Sequence, residues 1–197
     1  KKLLENVKPD VIIFQDYNKG TLNNNLIKNV VEVASDRDVP IVVDPKLKNF
    51  NSFKNVSLFK PNLKELKEGL KNTDENFGIE NHADIILNFQ KNQNIDILLL
   101  TLSEKGVFLN YKDKTNSKYV SKHIPAHIRS IADVSGAGDT VISVAALCVA
   151  LKINPVLTAA IANLAGGLVC EKVGVVPIER DLLQIEAEKL YSHYINL

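Results

Sequence analysis

The sequence predicts an α/β fold in which a mostly parallel sheet is covered by helices on both faces. Short apolar runs alternate along the chain with longer segments of helical periodicity, which is the pattern of successive βαβ units. The candidate parallel strands are residues 10–14, 40–44, 56–59 and 96–102. The first three runs are continuously apolar rather than alternating, as expected for strands that are buried on both faces.

Two more strands and six helices complete the predicted domain. Residues 107–111 and 118–124 flank the polar loop KDKTNS, and this arrangement predicts a hairpin or an edge pair. Helical patterns cover residues 22–36, 62–70, 81–92, 139–151, 155–171 and 181–195. The sequence shows no linker, internal repeat or low-complexity segment. Residues 1–197 are therefore predicted to belong to one domain.

The charge balance favours a small-molecule substrate. Lys plus Arg number 24 and Asp plus Glu number 23, so no net field would attract nucleic acid or an anionic membrane. No apolar run approaches the roughly 18 residues of a membrane span, and the segment KKLLENVKPD lacks the apolar core of a signal peptide. We therefore predict no nucleic acid or membrane partner and a cytoplasmic location.

Polar residues follow each of the four predicted parallel strands. Ligands of open α/β sheets bind beyond the carboxyl ends of the strands, so these positions are candidates for a site. Loops are polar in any protein, but four strands that end in this way indicate a binding crevice. The residues are Asp16 and Lys19, Asp44 to Lys46, Lys60 to Asn62, and Thr101 with Ser103.

The segment DVSGAGDT, residues 133–140, runs directly into an apolar helical pattern. Its small residues Gly136, Ala137 and Gly138 would let backbone N–H groups approach a phosphate, and the helix dipole favours an anion there. Asp139 would lie in the first helical turn, within reach of a substrate hydroxyl. A plain glycine turn with an acidic helix start is the structural alternative. A Walker A loop is excluded because no glycine precedes a Lys-Ser or Lys-Thr pair.

DVSGAGDT resembles the second signature of the ribokinase-like, or PfkB-type, sugar kinases. KPNLKEL is similar to the NxxE element of that family, through Asn62 and Glu65, and TLSEKG is similar to its TLGxxG turn. Within the family the resemblance is closest to the kinase domain of bacterial heptose 7-phosphate kinase and adenylyltransferase enzymes of lipopolysaccharide core synthesis. The matching motifs of that group are DYNKG at 16–20, DPK at 44–46, NLAGG at 163–167 and KVG at 172–174.

This resemblance implies ATP-dependent phosphoryl transfer to a sugar hydroxyl, with Asp139 as the base. It implies an anion hole made by the amides of Gly136, Ala137 and Gly138. ATP with its magnesium would be bound by Asn62, Leu63, Lys64, Glu65, Thr101, Ser103, Gly106 and Asn163. Glu65 would bind Mg²⁺ indirectly. The substrate would be bound by Asp16, Lys19, Asp44 and Lys46. The cofactors would be ATP and Mg²⁺, a monovalent cation is allowed, and a homodimer is one possible assembly.

The implied substrate is a sugar or sugar phosphate, and the heptose resemblance favours the anomeric hydroxyl of heptose 7-phosphate. A ribokinase- or fructokinase-like enzyme for an unphosphorylated sugar is the first alternative. A catalytically silent nucleotide-binding relative is the second. Three positions depart from the family pattern: Gln15 replaces a usual serine, Ser103 a common glycine, and Val144 a small residue. None of the three is the base or part of the anion hole.

The amino-terminal half of the family domain, with its sugar-binding turn and β lid, has no counterpart here. The chain also contains no methionine and no HxGH motif of an adenylyltransferase. We therefore expect residues 1–197 to be the carboxyl-terminal, nucleotide-binding part of one ribokinase-like kinase domain, from which the amino-terminal part and lid are missing. The expected origin is a fragment or a processed product.

The four histidines could suggest a metal-dependent hydrolase instead. His123 and His127 are close in sequence, but Pro125 between them disfavours the continuous helix that would align them on one metal. His82 and His193 lie in polar helical patterns and are predicted at the surface. The sequence therefore gives little support to a zinc site.

Overall fold

The computed structural model describes residues 2–113, 115–127 and 131–194. In this part of the chain, six strands form one sheet in the order of the chain. The strands are β1 (Ile12–Gln15), β2 (Ile41–Asp44), β3 (Val56–Phe59), β4 (Ile95–Thr101), β5 (Val107–Lys112) and β6 (Tyr119–Ile124). The first four are parallel, whereas β5 and β6 are antiparallel to their neighbours. The predicted sheet and its edge hairpin are confirmed.

Seven helices accompany the sheet in the described residues. They are α1 (Lys2–Val7), α2 (Asn24–Ser35), α3 (Leu63–Gly69), α4 (Ile79–Gln93), α5 (Ala137–Ala150), α6 (Pro155–Cys170) and α7 (Arg180–Tyr194). Short 3-10 turns cover Leu47–Ser52 and Ser103–Lys105. The sequence predicted neither α1 nor the turn at Leu47–Ser52, because segments of about six residues are too short to show a helical period. No helix in the described ranges is long and apolar enough to cross a membrane.

Adjacent residues of the central strands face two separate cores, as the pleat of a strand requires. One core contains Val43, Phe59 and Leu98, which pack with side chains of α2, α3 and α4. The other contains their neighbours Val42, Leu58 and Leu99, which pack against α5 and α6. The prediction of helices on both faces is therefore confirmed. Strands β2 and β3 are covered on both sides, which explains their continuously apolar sequences, whereas Ile13 of β1 is 41% exposed.

Helices α5 and α6 approach each other closely through small residues. Gly166 of α6 lies against Val141 of α5, and a Cβ atom at this glycine would overlap the valine side chain. Gly167 lies against the backbone carbonyl of His127, where a Cβ atom would also overlap. Ala145, Ala159 and other alanines are fully buried in the same core. The amino-terminal end of α5, which carries Asp139, therefore rests on a tightly packed support.

The surface prediction for His82 is wrong. The side chain is 8% exposed, its ring lies 4.7 Å from the ring of Phe77, and its Nε2 atom lies 3.2 Å from Asp74 Oδ2. The backbone of His82 is not helical, with φ −131°, so α4 is kinked at this residue. The segment 74–78 folds over the helix start, and helical periodicity does not register such a cover. The side chain of His193 lies outside the described residues.

Candidate active site

The carboxyl ends of the parallel strands meet the start of α5 at one edge of the sheet. Gln15 ends β1, Asp44 ends β2 and Lys60 directly follows β3. Gln15 contacts both Asp44 and Asp139. Lys60 contacts Asp44 and adjoins Gly138 in the first turn of α5. The polar strand ends therefore lie together, beside the DVSGAGDT segment, and the binding crevice predicted there stays a prediction.

The helix start has the geometry of an anion site. Gly136 precedes α5 with φ +80°, a backbone conformation that favours glycine. The N–H of Thr140 donates to the carbonyl of Gly136 at 2.9 Å, so the N–H groups of Gly138 and Asp139 precede the first hydrogen bond of the helix. The N–H of Ala137 donates to the carbonyl of Val134 at 3.3 Å within the loop. An anion that used all three predicted amides would have to displace that last bond.

Asp133 holds the loop before α5 in place. Its Oδ1 accepts the N–H of Ser135 at 2.9 Å, and its Oδ2 accepts the N–H of Gly174 at 3.0 Å. These bonds, with those from Ser135 foremost, lower the pKa of the Asp133 carboxyl. The N–H of Ala132 also donates to the carbonyl of Cys170 at 2.8 Å. The DVSGAGDT and KVG motifs are thus one structural unit, although about 40 residues separate them in the chain.

Asp139 accepts two hydrogen bonds from β1 and the loop that follows it. Its Oδ1 atom accepts from Gln15 Nε2 at 2.9 Å and from the Tyr17 hydroxyl at 3.2 Å. Partial desolvation and then the charge of Asp139 raise the pKa of Tyr17, which therefore stays protonated and can donate. The Nε2 atom of Gln15 also donates to Asp44 Oδ2 at 2.8 Å. One amide group therefore joins the carboxylates of α5 and β2.

A buried ion pair lies next to this amide. Lys60 Nζ is 3.1 Å from Asp44 Oδ1, and each of these residues is only 4% exposed. Burial raises the pKa of Asp44, and the positive charge of Lys60 opposes that rise. A Cβ atom at Gly138 would lie 3.7 Å from Lys60 Nζ, so the ammonium group adjoins the start of α5. The start of α5, where the anion site is predicted, therefore has a buried positive charge beside it.

The NxxE element forms the amino-terminal cap of α3. Asn62 Oδ1 accepts the N–H of Glu65 at 2.8 Å, and Glu65 Oε2 accepts the N–H of Asn62 at 2.9 Å, which is a capping box. The other oxygen of Glu65 accepts from Lys46 Nζ. Burial alone would lower the pKa of Lys46, but the bond to Glu65 outweighs it and the pKa is raised. Lys46, predicted for the substrate, thus contacts Glu65, predicted for magnesium.

The remaining predicted site residues differ in their surroundings. Asp16 is 2% exposed, and its two oxygens accept from the N–H of Asn18 at 2.7 Å and from Asn49 Nδ2 at 2.9 Å. It therefore shapes the loop after β1 rather than facing the crevice. Lys19 is exposed on the same loop. Asn163 Nδ2 donates to the carbonyl of Pro125 at 2.8 Å, which ties α6 to the segment after β6.

The residues predicted for the nucleotide follow β3 and β4. Thr101 is bridged to Asn62, and its N–H donates to the carbonyl of Pro61 at 3.0 Å. Leu63 and Lys64 begin α3, where Leu63 packs on the core and Lys64 faces outward. Ser103 has φ +54°, a left-handed conformation that explains why many family members carry glycine at this position.

Three residues of the site were not assigned a role from the sequence. Gln15 was noted only as a departure from the family pattern, Tyr17 only as part of a motif, and Lys60 only among the polar residues that follow strands. The structure places all three in the network around Asp139 and Asp44. Their position at the end of a strand, or within two residues of it, was the available signal.

The backbone conformation and close packing of Gly106 predict that a larger residue there destabilises the fold. Its φ is +87°, and a Cβ atom there would overlap the backbone of Ile124 and Ala126. We expect Gly106→Ala to lower the free energy of unfolding by about 2 to 3 kcal/mol, measured by chemical denaturation. Gly20→Ala is the matched control, because Gly20 has φ +89° but no atom within 4 Å of the added methyl group. Equal losses in the two variants would contradict the steric argument.

The described residues give no support to a zinc site. No group of three or more His, Cys, Asp or Glu side chains in the described ranges is arranged to hold a metal ion. His123 Nε2 lies 2.7 Å from the carbonyl of Lys105, and His127 Nε2 lies 3.8 Å from Glu186 Oε2. The two histidines therefore contact different elements of the fold.

Sequence comparison agrees with this arrangement. The pfkB family carbohydrate kinase profile matches residues 2–181. The chain belongs to this family. It is 35% identical over 174 residues to the bifunctional protein HldE of Koribacter versatilis, which covers 87% of this chain and 34% of that protein. It is also 35% identical over 170 residues to HldE of Campylobacter jejuni, which covers 86% of this chain and 35% of that protein.

Solved structures confirm that the pfkB chain has the ribokinase-like fold. Phosphofructokinase-2 of Escherichia coli, in complex with potassium, superposes with a TM-score of 0.72 and 16% identity over 86% of this chain and 53% of its own. Arabidopsis thaliana ribokinase, complexed with ribose and ATP, superposes with a TM-score of 0.70 and 18% identity over 91% of this chain and 56% of its own. The pfkB chain thus spans about half of these structures and about a third of the HldE proteins.

Proposed function

We propose that this chain is the carboxyl-terminal, nucleotide-binding part of a kinase domain that transfers the γ-phosphoryl group of ATP to a sugar hydroxyl. One observation carries the proposal: Asp139 lies in the first turn of α5, beside free helix N–H groups and the buried Lys60. In this proposal Asp139 is the base and the start of α5 is the anion site. Phosphoryl transfer needs mainly these two elements, since the protein positions the reactants and neutralises charge on the transferred group.

The residues around Glu65 fit a magnesium ion that arrives with the nucleotide. Mg²⁺ is usually bound through one or two carboxylates, waters and substrate phosphates rather than by a cage of protein ligands. Glu65 supplies one carboxylate at the crevice, and its hydrogen bonds to Asn62 and Lys46 hold it there. Bound magnesium would neutralise charge on the phosphates. Potassium is present in the phosphofructokinase-2 structure, and a monovalent cation is a further candidate here.

Within this activity we propose heptose 7-phosphate as the substrate, phosphorylated at its anomeric hydroxyl. The support is the similarity to the HldE proteins and the presence of two lysines after buried strands. Lys19 is exposed on the loop after β1, and Lys46 contacts Glu65 at the start of α3. A dianionic phosphate on the sugar would need such cations, whereas an unphosphorylated sugar would need mainly neutral hydrogen-bonding groups.

An assay of ADP release by the full-length protein, with heptose 7-phosphate, ribose and fructose in parallel, tests the substrate. We expect the highest kcat/KM for heptose 7-phosphate. A clear preference for ribose or fructose would replace this proposal with a ribokinase- or fructokinase-like one. ATP binding without turnover of any sugar would favour a silent nucleotide-binding relative. Lys46 already pairs with Glu65, so its charge is less available to a phosphate on the sugar. This contact is the observation that favours an unphosphorylated sugar.

Lys19→Ala and Lys46→Ala should separate these possibilities further. If either lysine binds the phosphate of the sugar, its removal should lower kcat/KM for the phosphorylated sugar roughly ten- to hundredfold, because a charged hydrogen bond contributes about 1.5 to 3 kcal/mol. Activity of Lys19→Ala with a free sugar should change little, whereas Lys46→Ala also releases Glu65 and should lower activity with both kinds of sugar to some extent. Lys112→Ala on β5 is the control, because Lys112 is exposed on a strand that contributes nothing to the crevice. Equal losses with both kinds of sugar would rule out a phosphate-specific role.

A further inference from the structure

The hydrogen bonds to the Asp139 side chain converge on one of its two oxygens. Gln15 Nε2 and the Tyr17 hydroxyl both donate to Oδ1, at 2.9 Å and 3.2 Å. Within the described part of the chain, no protein group donates to Oδ2. The two oxygens of the carboxylate are therefore unequal, because one is bound by the protein and the other is open.

The orientation of the Gln15 amide is itself fixed by hydrogen bonds. Its nitrogen carries two N–H groups, and these reach Asp44 Oδ2 at 2.8 Å and Asp139 Oδ1 at 2.9 Å. Two carboxylates on one side fix the orientation of the amide, because the flipped form would place its oxygen against both anions. Asp44 is fixed in turn by Lys60 at 3.1 Å. A continuous chain of contacts thus runs from Lys60 to Asp139.

We propose that Gln15 and Tyr17 are positioning residues that hold Oδ1 of Asp139 and leave Oδ2 to accept the proton of the sugar hydroxyl. This inference rests on the proposed function, in which Asp139 is the base. The base of other enzymes is likewise oriented by a third group that does not touch the substrate. Gln15 has this role through the amide, and Tyr17 adds a second donor from the loop after β1.

The proton transfer balances without another reactant. A lone pair of the sugar oxygen forms the new bond to the γ-phosphorus, and the bond between that phosphorus and the bridging oxygen breaks, with its electron pair leaving on ADP. The hydroxyl proton moves to Oδ2 of Asp139 and later passes to solvent. Gln15 and Tyr17 keep their protons throughout. Their contribution is the fixed direction of the accepting oxygen.

The usual serine of the heptose kinases could not make both contacts of Gln15. A serine side chain is two bonds shorter and carries one O–H in place of two N–H groups. The bridge between Asp44 and Asp139 is therefore a property of this chain. A difference at this one position, noted first as a departure from the family pattern, thus acquires a defined structural role.

The test uses the full-length protein with Gln15→Leu, Tyr17→Phe and the isosteric Gln15→Glu. We expect Gln15→Leu to lower kcat roughly tenfold or more and Tyr17→Phe about threefold to tenfold, with the KM for ATP within a few-fold in both. Gln184→Leu on α7 and Tyr119→Phe on β6 are matched controls that lie outside the crevice and should keep wild-type kinetics. Thermal unfolding of each variant checks that the fold is retained.

The pH dependence of Gln15→Glu gives a readout that a loss of packing would not change. An ionised carboxylate at this position would face Asp44 and Asp139, with Lys60 and Lys46 as the nearby cations, and it would repel the base. Two neighbouring carboxylates raise the pKa of the new group, so it gains a proton, and with it a donor, as the pH falls. The activity of this variant relative to wild type should therefore rise from pH 8 to pH 6.

Three outcomes are distinguishable. Lower kcat in Gln15→Leu and Tyr17→Phe, with the predicted acid recovery of Gln15→Glu, supports the positioning role. Wild-type kcat in both, or a Gln15→Glu activity ratio that is independent of pH, overturns it while the kinase function stands. Absence of sugar kinase activity in the wild-type protein would overturn the proposed function, and this inference with it.

Discussion

Asp139→Asn in the full-length protein should lower kcat at least about a hundredfold while the Kd for ATP stays within a few-fold. The asparagine oxygen can still accept hydrogen bonds from Gln15 and Tyr17, so the geometry at the start of α5 should be preserved. The amide, however, cannot take a proton from the sugar hydroxyl. Steady-state ADP release and equilibrium titration with ATP measure the two quantities separately.

Asp113→Asn is a matched control for that variant. Asp113 lies in the loop between β5 and β6 and accepts hydrogen bonds only from its own loop among the described residues. We expect wild-type kcat from it. Near-normal turnover in Asp139→Asn would remove Asp139 from the role of base. A large loss of ATP affinity would assign Asp139 to binding instead.

Lys60→Met should destabilise the fold by about 3 to 5 kcal/mol, because it leaves the carboxylate of Asp44 buried without its cation. Asp44 and Lys60 are each 4% exposed, so water cannot replace the lost partner at little cost. The combined Lys60→Met and Asp44→Leu variant should recover most of this loss, since it removes both charges together. Urea denaturation of the three proteins measures the difference.

The decrease in the free energy of unfolding caused by Lys60→Met should also depend on pH. Burial already raises the pKa of Asp44 in the folded protein, and without Lys60, which opposes that rise, the pKa rises further. A carboxyl group whose folded pKa is raised binds more protons when folded, so its contribution to stability falls as the pH increases. The difference between Lys60→Met and wild type should therefore be larger at pH 8 than at pH 5. A difference that is independent of pH, or below about 1 kcal/mol, would contradict an unpaired buried charge.

Periodicity predicted the framework because long buried elements carry the strongest pattern. Each predicted strand is present, and α6 begins at Pro155 where its helical pattern begins, with Asn154 Oδ1 accepting the N–H of Val156 at 2.8 Å. The turn at Leu47–Ser52 was not predicted, although it buries Phe50 in the core. A short turn has no period, and its apolar residues are placed by contacts that are distant in sequence.

The candidate site was predicted in its location but not in its connections. Motif resemblance named Asp139, Asp44 and Glu65, and the structure brings all three to one edge of the sheet. The motifs did not show that the Gln15 amide joins two of these carboxylates, Asp139 and Asp44, which lie 124 and 29 residues from it in sequence. Side-chain contacts between strand ends depend on register and twist, which no local pattern specifies. The pairing of Lys46 with Glu65 was missed for the same reason.

The two sides of the crevice rest on different kinds of support, and this difference bears on how the substrate range could change in evolution. Asp139 belongs to a helix that Gly166 holds against α6 without room for a methyl group, so substitutions there disturb the packed interior. Lys19 lies on an exposed loop, where a substitution costs little stability. The proposed acceptor sugar could therefore change through drift at such loop positions while the helix that carries Asp139 stays constant.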